Sequence, residues 1–235
     1  MPVEVVVRAY QDLVGPVSVG VIADAVTATT GVILLSAVLQ MWRRSLIGSI
    51  RLLAVQGVAL AALVAAIGLD GKQPEMIAAA LLVLGVKGAA LPWVLARTAR
   101  ATGVVREQQP LVNPTAGVLA AAAFTTLAYV VTRPIAALAP HGPARAVPVG
   151  LALVLIGILV LLSHRTALAQ LIGFVVLDNG IATVAFLTAG GLPLVVELGV
   201  TLDVLLVVLI LRVLTARMHV AYGATDLDGL TELRD

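Results

Sequence analysis

The sequence predicts an all-α integral membrane protein with about seven transmembrane helices. The first observation behind this prediction is the composition, which is 60% hydrophobic and only 12% charged, with a mean hydropathy of +1.09. These values lie outside the range of soluble globular domains. The second observation is that the apolar residues fall into runs of about 20, the length that a helix needs to cross the hydrocarbon core. Seven such runs occupy about 140 residues, so a chain of 235 residues has no room for a soluble catalytic domain.

Polar and turn-forming residues divide the apolar runs from one another. Arg43 and Arg44 end the first run, residues 70–75 (DGKQPE) form a turn between the second and third, and a proline-rich stretch precedes the fifth. Residues 190–193 (GGLP) form the short turn between the sixth and seventh. The predicted spans are 17–41, 50–69, 76–96, 115–132, 147–163, 168–189 and 192–213.

The distribution of lysine and arginine predicts an orientation with the N-terminus outside and the C-terminus in the cytoplasm. If seven spans alternate in direction, one side carries Arg43, Arg44, Arg51, Arg97, Arg100, Arg106, Arg165, Arg212, Arg217 and Arg234. The other side carries only Arg8, Lys72, Arg133 and Arg145. Positive residues accumulate in cytoplasmic loops, so the first set marks the cytoplasmic side. We expect a multi-pass protein of the inner, cytoplasmic membrane, with lipid as its surroundings.

The charge and the rare residue types exclude several classes of protein. The net charge of +2 resides in short clusters between apolar runs, which is typical of topology signals and not of a nucleic-acid-binding stripe. Cysteine is absent and the three histidines are scattered, so we expect no metal site and no cofactor. Glu4 and Asp12 precede the first apolar run, unlike the basic start of a cleavable signal, so we expect the first helix to be retained.

Similar segments on either side of the fourth span suggest a parallel 3+1+3 internal repeat. Gln56-Gly57-Val58 aligns with Asn179-Gly180-Ile181, and Leu84-Gly85-Val86 aligns with Leu198-Gly199-Val200. Chance matches are an equal alternative in a chain so rich in Leu, Val, Ala and Gly. The predicted organisation is an N-terminal three-helix unit (1–112), a connecting helix with a proline-rich loop (113–146), a second three-helix unit (147–216) and a cytoplasmic tail (217–235).

Three ionisable residues lie near the middle of predicted spans, and a fourth, Glu197, lies in the outer third of the seventh span. Lys87 lies near the middle of the third span, Asp178 near the middle of the sixth, and Glu197 and Asp203 lie in the seventh. Each would cost about 2.5 to 3.5 kcal/mol if it faced the centre of the bilayer, so each should face protein or water and be paired. Lys87, Asp178 and Asp203 share one depth, as a lateral chain of proton-exchanging groups requires. We therefore expect a proton-transfer function.

Two alternatives remain open at this point. The first alternative is that Lys87 pairs with Asp178 or Asp203 merely to hold the bundle together, because such pairs also stabilise bundles without moving protons. Asp24, about seven residues into the first span, is either a buried participant in proton transfer or a solvated residue at the outer end.

Several segments after residue 150 together resemble a known family. They are the arginine-containing turn Ser163–Thr166, the run 171–180 (LIGFVVLDNG), the segment Val196–Gly199 (VELG) and the acidic tail 225–235. This region is similar to the three-helix K subunit of bacterial NADH:quinone oxidoreductase. Together with residues 189–193 (AGGLP), the longer chain resembles hydrogenase-4 component E, a membrane subunit of formate hydrogenlyase-type complexes.

The resemblance implies roles for particular residues, with two departures. Glu197 falls on the third-helix glutamate of the K subunit and would inherit its proton-relay role, and Arg165 falls on the arginine of the cytoplasmic turn. The second-helix glutamate of the K subunit would fall on Val175, whereas the acid here is Asp178, one turn further on. Component E has an acid at the Asp178 position, usually glutamate. Asp203 has no counterpart in the K subunit.

The function implied is that of a non-catalytic membrane-arm subunit of an energy-converting [NiFe]-hydrogenase or formate hydrogenlyase-like complex. It would lie beside antiporter-like subunits and contribute to proton translocation driven by redox chemistry on other chains. Two alternatives are a purely structural anchor of such a complex and a free-standing small transporter. The sequence does not specify the electron donor, or whether protons or sodium ions move.

Overall fold

The computed structural model describes residues 3–43, 45–101, 112–134, 143–164 and 166–189. These ranges consist of helices joined by short connections, and they contain no strand. The helices are α1 (Val3–Trp42), α2 (Leu46–Asp70), α3 (Pro74–Val83), α4 (Leu91–Ala101), α5 (Pro114–Val131), α6 (Val147–Ser163) and α7 (Ala167–Ala189). A π-helical segment, Leu84–Ala90, connects α3 to α4, and a 3₁₀ turn, Pro143–Ala146, leads into α6.

Six stretches in the described ranges are long and apolar enough to cross a membrane. They are Gly20–Trp42, Leu46–Asp70, Pro74–Arg100, Pro114–Val131, Pro143–Ser163 and Leu168–Thr188. They coincide with the first six predicted spans to within a few residues, which confirms a multi-pass helical membrane protein. The seventh predicted span, 192–213, lies outside the described residues, so the number of spans and their orientation stay predictions.

Local sequence signals account for the helix starts. Ser45 precedes α2, and its hydroxyl accepts a hydrogen bond from the Gly48 amide at 3.3 Å. The Asn113 side chain does the same for the Thr115 amide at 3.2 Å before α5. Both residues are favoured N-caps because their oxygens satisfy amides that have no partner within the helix. Pro74 starts α3, where a missing N–H costs nothing.

The tightest helix contact joins α6 to α7 and depends on glycines. A methyl group added to Gly180 would lie 2.6 Å from the Val154 nitrogen, and one added to Gly173 would lie 2.6 Å from the Leu161 nitrogen. Gly157 faces the backbone of Leu177 just as closely. In lipid, where apolar surface gives little drive for helices to associate, such close backbone packing supplies much of the attraction. It fixes the position of α7 and therefore of Asp178.

α2 is the central helix and α5 a peripheral one. α2 contacts α1, α3, α4 and α7, and 61% of its most apolar part is buried. Only 17% of the corresponding part of α5 is buried, and Leu119, Leu127 and Val130 are exposed on it. Exposed apolar side chains at this depth fit a lipid or protein neighbour. Two buried polar residues of other helices, Lys87 through its backbone and Asn179 through its side chain, contact α2.

Candidate functional site

The π-helical segment carries Lys87 at its centre. The Leu91 amide donates to the carbonyl of Val86, five residues back, so the chain contains one extra residue in this turn compared with an α-helix. Pro92 follows in α4 and has no N–H to donate to the carbonyl of Gly88, four residues earlier, which disfavours α-helical bonding here. π segments are common at functional sites because they change the direction of side chains.

Lys87 and Asp178 form a buried ion pair. The Lys87 Nζ lies 2.6 Å from Asp178 Oδ2, and the two side chains are 2% and 12% exposed. Lys87 stands on the third span and Asp178 on α7, so the pair joins the two parts of the chain on either side of α5. The distance is that of a charge-assisted hydrogen bond, which is shorter and stronger than a neutral one. The sequence left Asp178 and Asp203 open as partners of Lys87; the structure places Asp178 against it, and Asp203 lies outside the described residues.

α2 supports this pair from one side through Gly57. A methyl group added to Gly57 would overlap the Lys87 carbonyl and lie 2.6 Å from the Gly88 nitrogen. The π segment can approach α2 this closely only because Gly57 has no side chain. The backbone of Lys87 is thus held against α2 while its side chain reaches α7.

A pair of buried amides lies next in sequence to these contacts. The Asn179 Nδ2 donates to Gln56 Oε1 at 3.1 Å, and the two residues are 1% and 0% exposed. Thr183, one turn beyond on α7, donates through its hydroxyl to the Asn179 carbonyl at 2.7 Å. Within the described ranges, Gln56 Nε2 and Asn179 Oδ1 have no protein partner, and buried polar atoms of this kind are normally satisfied by hydrogen bonds or by ordered water.

This arrangement can hold a proton at a lysine nitrogen or a carboxylate oxygen within the apolar part of the bundle. α2 and α7 meet there: α2 contributes Gln56 and Gly57, and α7 contributes Asp178 and Asn179. Asp178 is the less enclosed member of the ion pair, with 12% of its side chain exposed. Among the described residues, no three His, Asp or Glu side chains come together as a metal-binding group.

The structure places the predicted site residues in three different ways. It brings Lys87 and Asp178 together. It leaves Asp24 exposed near the N-terminal end of the Gly20–Trp42 stretch, so Asp24 is not part of the buried cluster. Glu197, Asp203 and Arg165 lie outside the described residues, so their roles stay predictions.

Gln56 and Asn179 are the site residues that the sequence prediction missed. They were noted only as matching positions of the repeat, and the structure shows them in contact with each other. An available signal was the amide itself, because an unpaired amide in the middle of an apolar span is costly and therefore indicates a buried partner. The contact leaves the repeat itself a prediction.

The fold and the site define a polytopic α-helical membrane protein with an ion pair enclosed among its helices. The chain belongs to the same family as Uncharacterized protein Rv0085 of Mycobacterium tuberculosis, to which it is 44% identical over 206 residues, covering 87% of this chain and 94% of the relative. It is also similar to Hydrogenase-4 component E of Escherichia coli K12 and of Shigella flexneri. Each of these proteins is 28% identical over 144 residues, 61% of this chain and 67% of the relative.

These similarities support the resemblance to component E that the sequence motifs indicated. The similarity to the K subunit of NADH:quinone oxidoreductase stays a prediction. No protein-family model and no solved structure matches the chain.

Proposed function

We propose that this chain is a non-catalytic membrane subunit of a hydrogenase-type complex and that its buried ion pair takes part in proton translocation. Its similarity to Hydrogenase-4 component E and its six membrane-crossing stretches support membership of such a complex. The redox chemistry would take place on other subunits. The neighbours would include antiporter-like membrane subunits, and the complex would reside in the inner membrane.

The observation that carries the proton-transfer proposal is the Lys87–Asp178 pair at 2.6 Å. Ionisable residues deep within membrane spans are expensive and commonly mark ion or proton pathways. A lysine beside a carboxylate can pass a proton along the short hydrogen bond between them, from nitrogen to oxygen or back. The π segment adds support, since segments of this kind are common at functional sites and this one has Lys87 at its centre.

The proposed route continues through groups that the sequence places at a similar depth. Gln56 and Asn179 each leave one polar atom without a protein partner, and a water molecule between those atoms could carry a proton past the ion pair. Glu197 and Asp203 on the predicted seventh span would extend the route beyond Asp178. We propose no such role for Asp24 within the buried cluster; as an exposed residue it would exchange protons with the outer surface.

Substitution of the two carboxyl groups tests this function in the assembled complex. Asp178→Asn and Glu197→Gln should each bring proton translocation in proteoliposomes down to the leak rate while the complex still assembles. Glu75→Gln is the matched control, because Glu75 is an exposed carboxylate at the start of α3. Unchanged proton translocation in both Asp178→Asn and Glu197→Gln would refute the proposal.

The same ion pair also favours a second function, that of a structural anchor. Removing one member of a buried pair strongly destabilises a protein. If the pair acts only in this way, Asp178→Asn should lower the amount of assembled complex, and the complex that remains should translocate protons at the normal ratio to electrons. A free-standing transporter would instead show transport by the purified chain alone in liposomes.

A further inference from the structure

A small polar pocket lies at one end of the bundle, at the membrane boundary. Most of the positively charged residues lie at this same end. The pocket is formed by the end of α1, the start of α2, the end of α6 and the start of α7, and its volume is about 10 Å³. That is close to the volume that holds one water molecule, or one oxygen atom of a larger group. The pocket is independent of the ion pair, which lies deeper in the membrane.

Gln40 is the residue that indicates a ligand for this pocket. It lines the pocket, it is only 2% exposed, and neither its Nε2 nor its Oε1 has a hydrogen-bond partner among the described residues. A buried amide with both polar atoms unpaired is costly, because it has lost its hydrogen bonds to water and gained none. A bound group with oxygen atoms would remove that cost.

The other polar side chains that line the pocket are hydrogen-bond donors or cations, and they stand beside the apolar residues Leu46, Val160, Ala169 and Ile172. The first turn of α2 faces it and contains no acidic residue, so the amides there present the positive end of the helix. The Arg43 side chain folds over that turn, with its Cδ 3.5 Å from the position of a Cβ on Gly48. Within the described ranges no carboxylate lies within ion-pair distance of Arg43. Ser49 adds a hydroxyl.

His164 completes the pocket from the α6 side. Its Nδ1 donates to the Val160 carbonyl at 2.8 Å, which fixes the ring at the edge of the pocket. In the part of the chain that the structure describes, no aspartate or glutamate lines the pocket. The chemistry of the lining therefore fits an anion that has several oxygen atoms.

We infer that this pocket binds the phosphate group of an anionic phospholipid. The pocket lies where four membrane spans begin or end, which is the depth of the lipid headgroups. Trp42, 62% exposed and next in sequence to Arg43, is typical of this interface. One phosphate oxygen would fill the inner part of the pocket and accept from Gln40 Nε2, while Arg43 and the α2 amides would hold the others. The Gln40 Oε1 would accept from a water molecule of the headgroup.

Lipid retention by the purified full-length chain tests the inference. After removal of bound lipid, phosphatidylglycerol or phosphatidylcholine is added back and the retained lipid is counted by native mass spectrometry. We expect one tightly held phosphatidylglycerol per chain and no tightly held phosphatidylcholine, whose choline cation would lie against Arg43. Loss of one charge-assisted hydrogen bond corresponds to about a tenfold weaker affinity. Arg43→Gln should therefore need about a tenfold higher phosphatidylglycerol concentration than the unchanged protein to keep half of the chains occupied.

Three further variants and one competitor make the test specific. Arg43→Lys should retain part of the affinity, and Gln40→Leu should lose it while keeping a similar side-chain volume. Arg100→Gln is the matched control, because Arg100 is an exposed arginine on the same predicted side and does not line the pocket. Competition by inorganic phosphate would support phosphate recognition.

Equal lipid loss in Arg43→Gln and Arg100→Gln would overturn the inference, since it would show attraction to the general surface charge. Unchanged retention in Gln40→Leu would overturn it too, because the pocket would then hold only water. Binding of inorganic phosphate without binding of phosphatidylglycerol would show that the ligand is free phosphate and not a lipid.

Discussion

Replacing Lys87 with methionine should strongly destabilise the bundle, and replacing Asp178 with leucine at the same time should restore most of the stability. The change to methionine keeps a long side chain but removes the ammonium group that lies 2.6 Å from Asp178 Oδ2. Asp178, with a side chain only 12% exposed, would then be left without its cation. Breaking a buried pair by removing one partner typically lowers the free energy of unfolding by about 3 to 5 kcal/mol.

The double variant shows whether Lys87 and Asp178 stabilise the protein by interacting with each other or by two independent effects. Replacing both members of a buried pair by apolar residues is often neutral or even stabilising. We therefore expect Lys87→Met with Asp178→Leu to unfold much closer to the unchanged protein than the sum of the single variants. The difference between that sum and the double variant should amount to about 3 kcal/mol or more, above the range of 0.5 to roughly 3 kcal/mol found for most contacting pairs.

Reversible unfolding in a denaturing detergent, monitored by the loss of the helical circular dichroism signal, gives the free energies of unfolding that this double-variant cycle needs. Lys72→Met is the matched control, because Lys72 lies exposed in the turn between α2 and α3 and should have little effect. Additive effects of Lys87→Met and Asp178→Leu would refute the reasoning. They would mean that the two charges do not stabilise each other in the folded protein.

Three further substitutions test the surroundings of the ion pair. Gly57→Leu should destabilise the folded protein by about 1 to 3 kcal/mol, as overpacking does, because the Cβ of the leucine would overlap the Lys87 carbonyl. The same unfolding assay measures this effect. Gly85→Leu is the control, since Gly85 has open space beside it. Gln56→Leu should destabilise by about 1 to 3 kcal/mol by leaving Asn179 unpaired, and adding Asn179→Leu should recover part of the loss; no recovery would contradict the contact. Pro92→Ala restores an N–H that α-helical bonding can use, so we expect the π segment to shorten. The coupling between Lys87 and Asp178 should then weaken in the double-variant cycle. Unchanged coupling would contradict the role of Pro92 in holding the π segment.

The positions of the helices could be predicted well from the sequence. Six predicted spans agree with the structure because hydrophobic length is a local property that each segment carries by itself. The helix starts at Ser45, Pro74 and Asn113 follow from local capping rules for the same reason. The third span was predicted as a regular helix, and its π segment was missed although Pro92 was a local sign of irregular bonding.

The candidate site could be predicted only as a set of residues. The cost of a charge in lipid singles out Lys87 and Asp178 and requires that each has a partner, but it does not say which partner. The sequence left Asp178 and Asp203 as equal choices for Lys87. It also left Asp24 as either buried or solvated, whereas the structure shows it exposed.

The sequence by itself determined that this protein crosses the membrane repeatedly and carries charges that lipid cannot accommodate, because both facts follow from the composition of single segments. Only the tertiary structure decided that Lys87 pairs with Asp178, that Gln56 meets Asn179, and that Gln40 lines a pocket at the membrane boundary. These contacts join residues on different helices, in the first two cases about a hundred positions apart. They depend on how closely glycines such as Gly57 and Gly180 allow the helices to approach, which no single segment specifies.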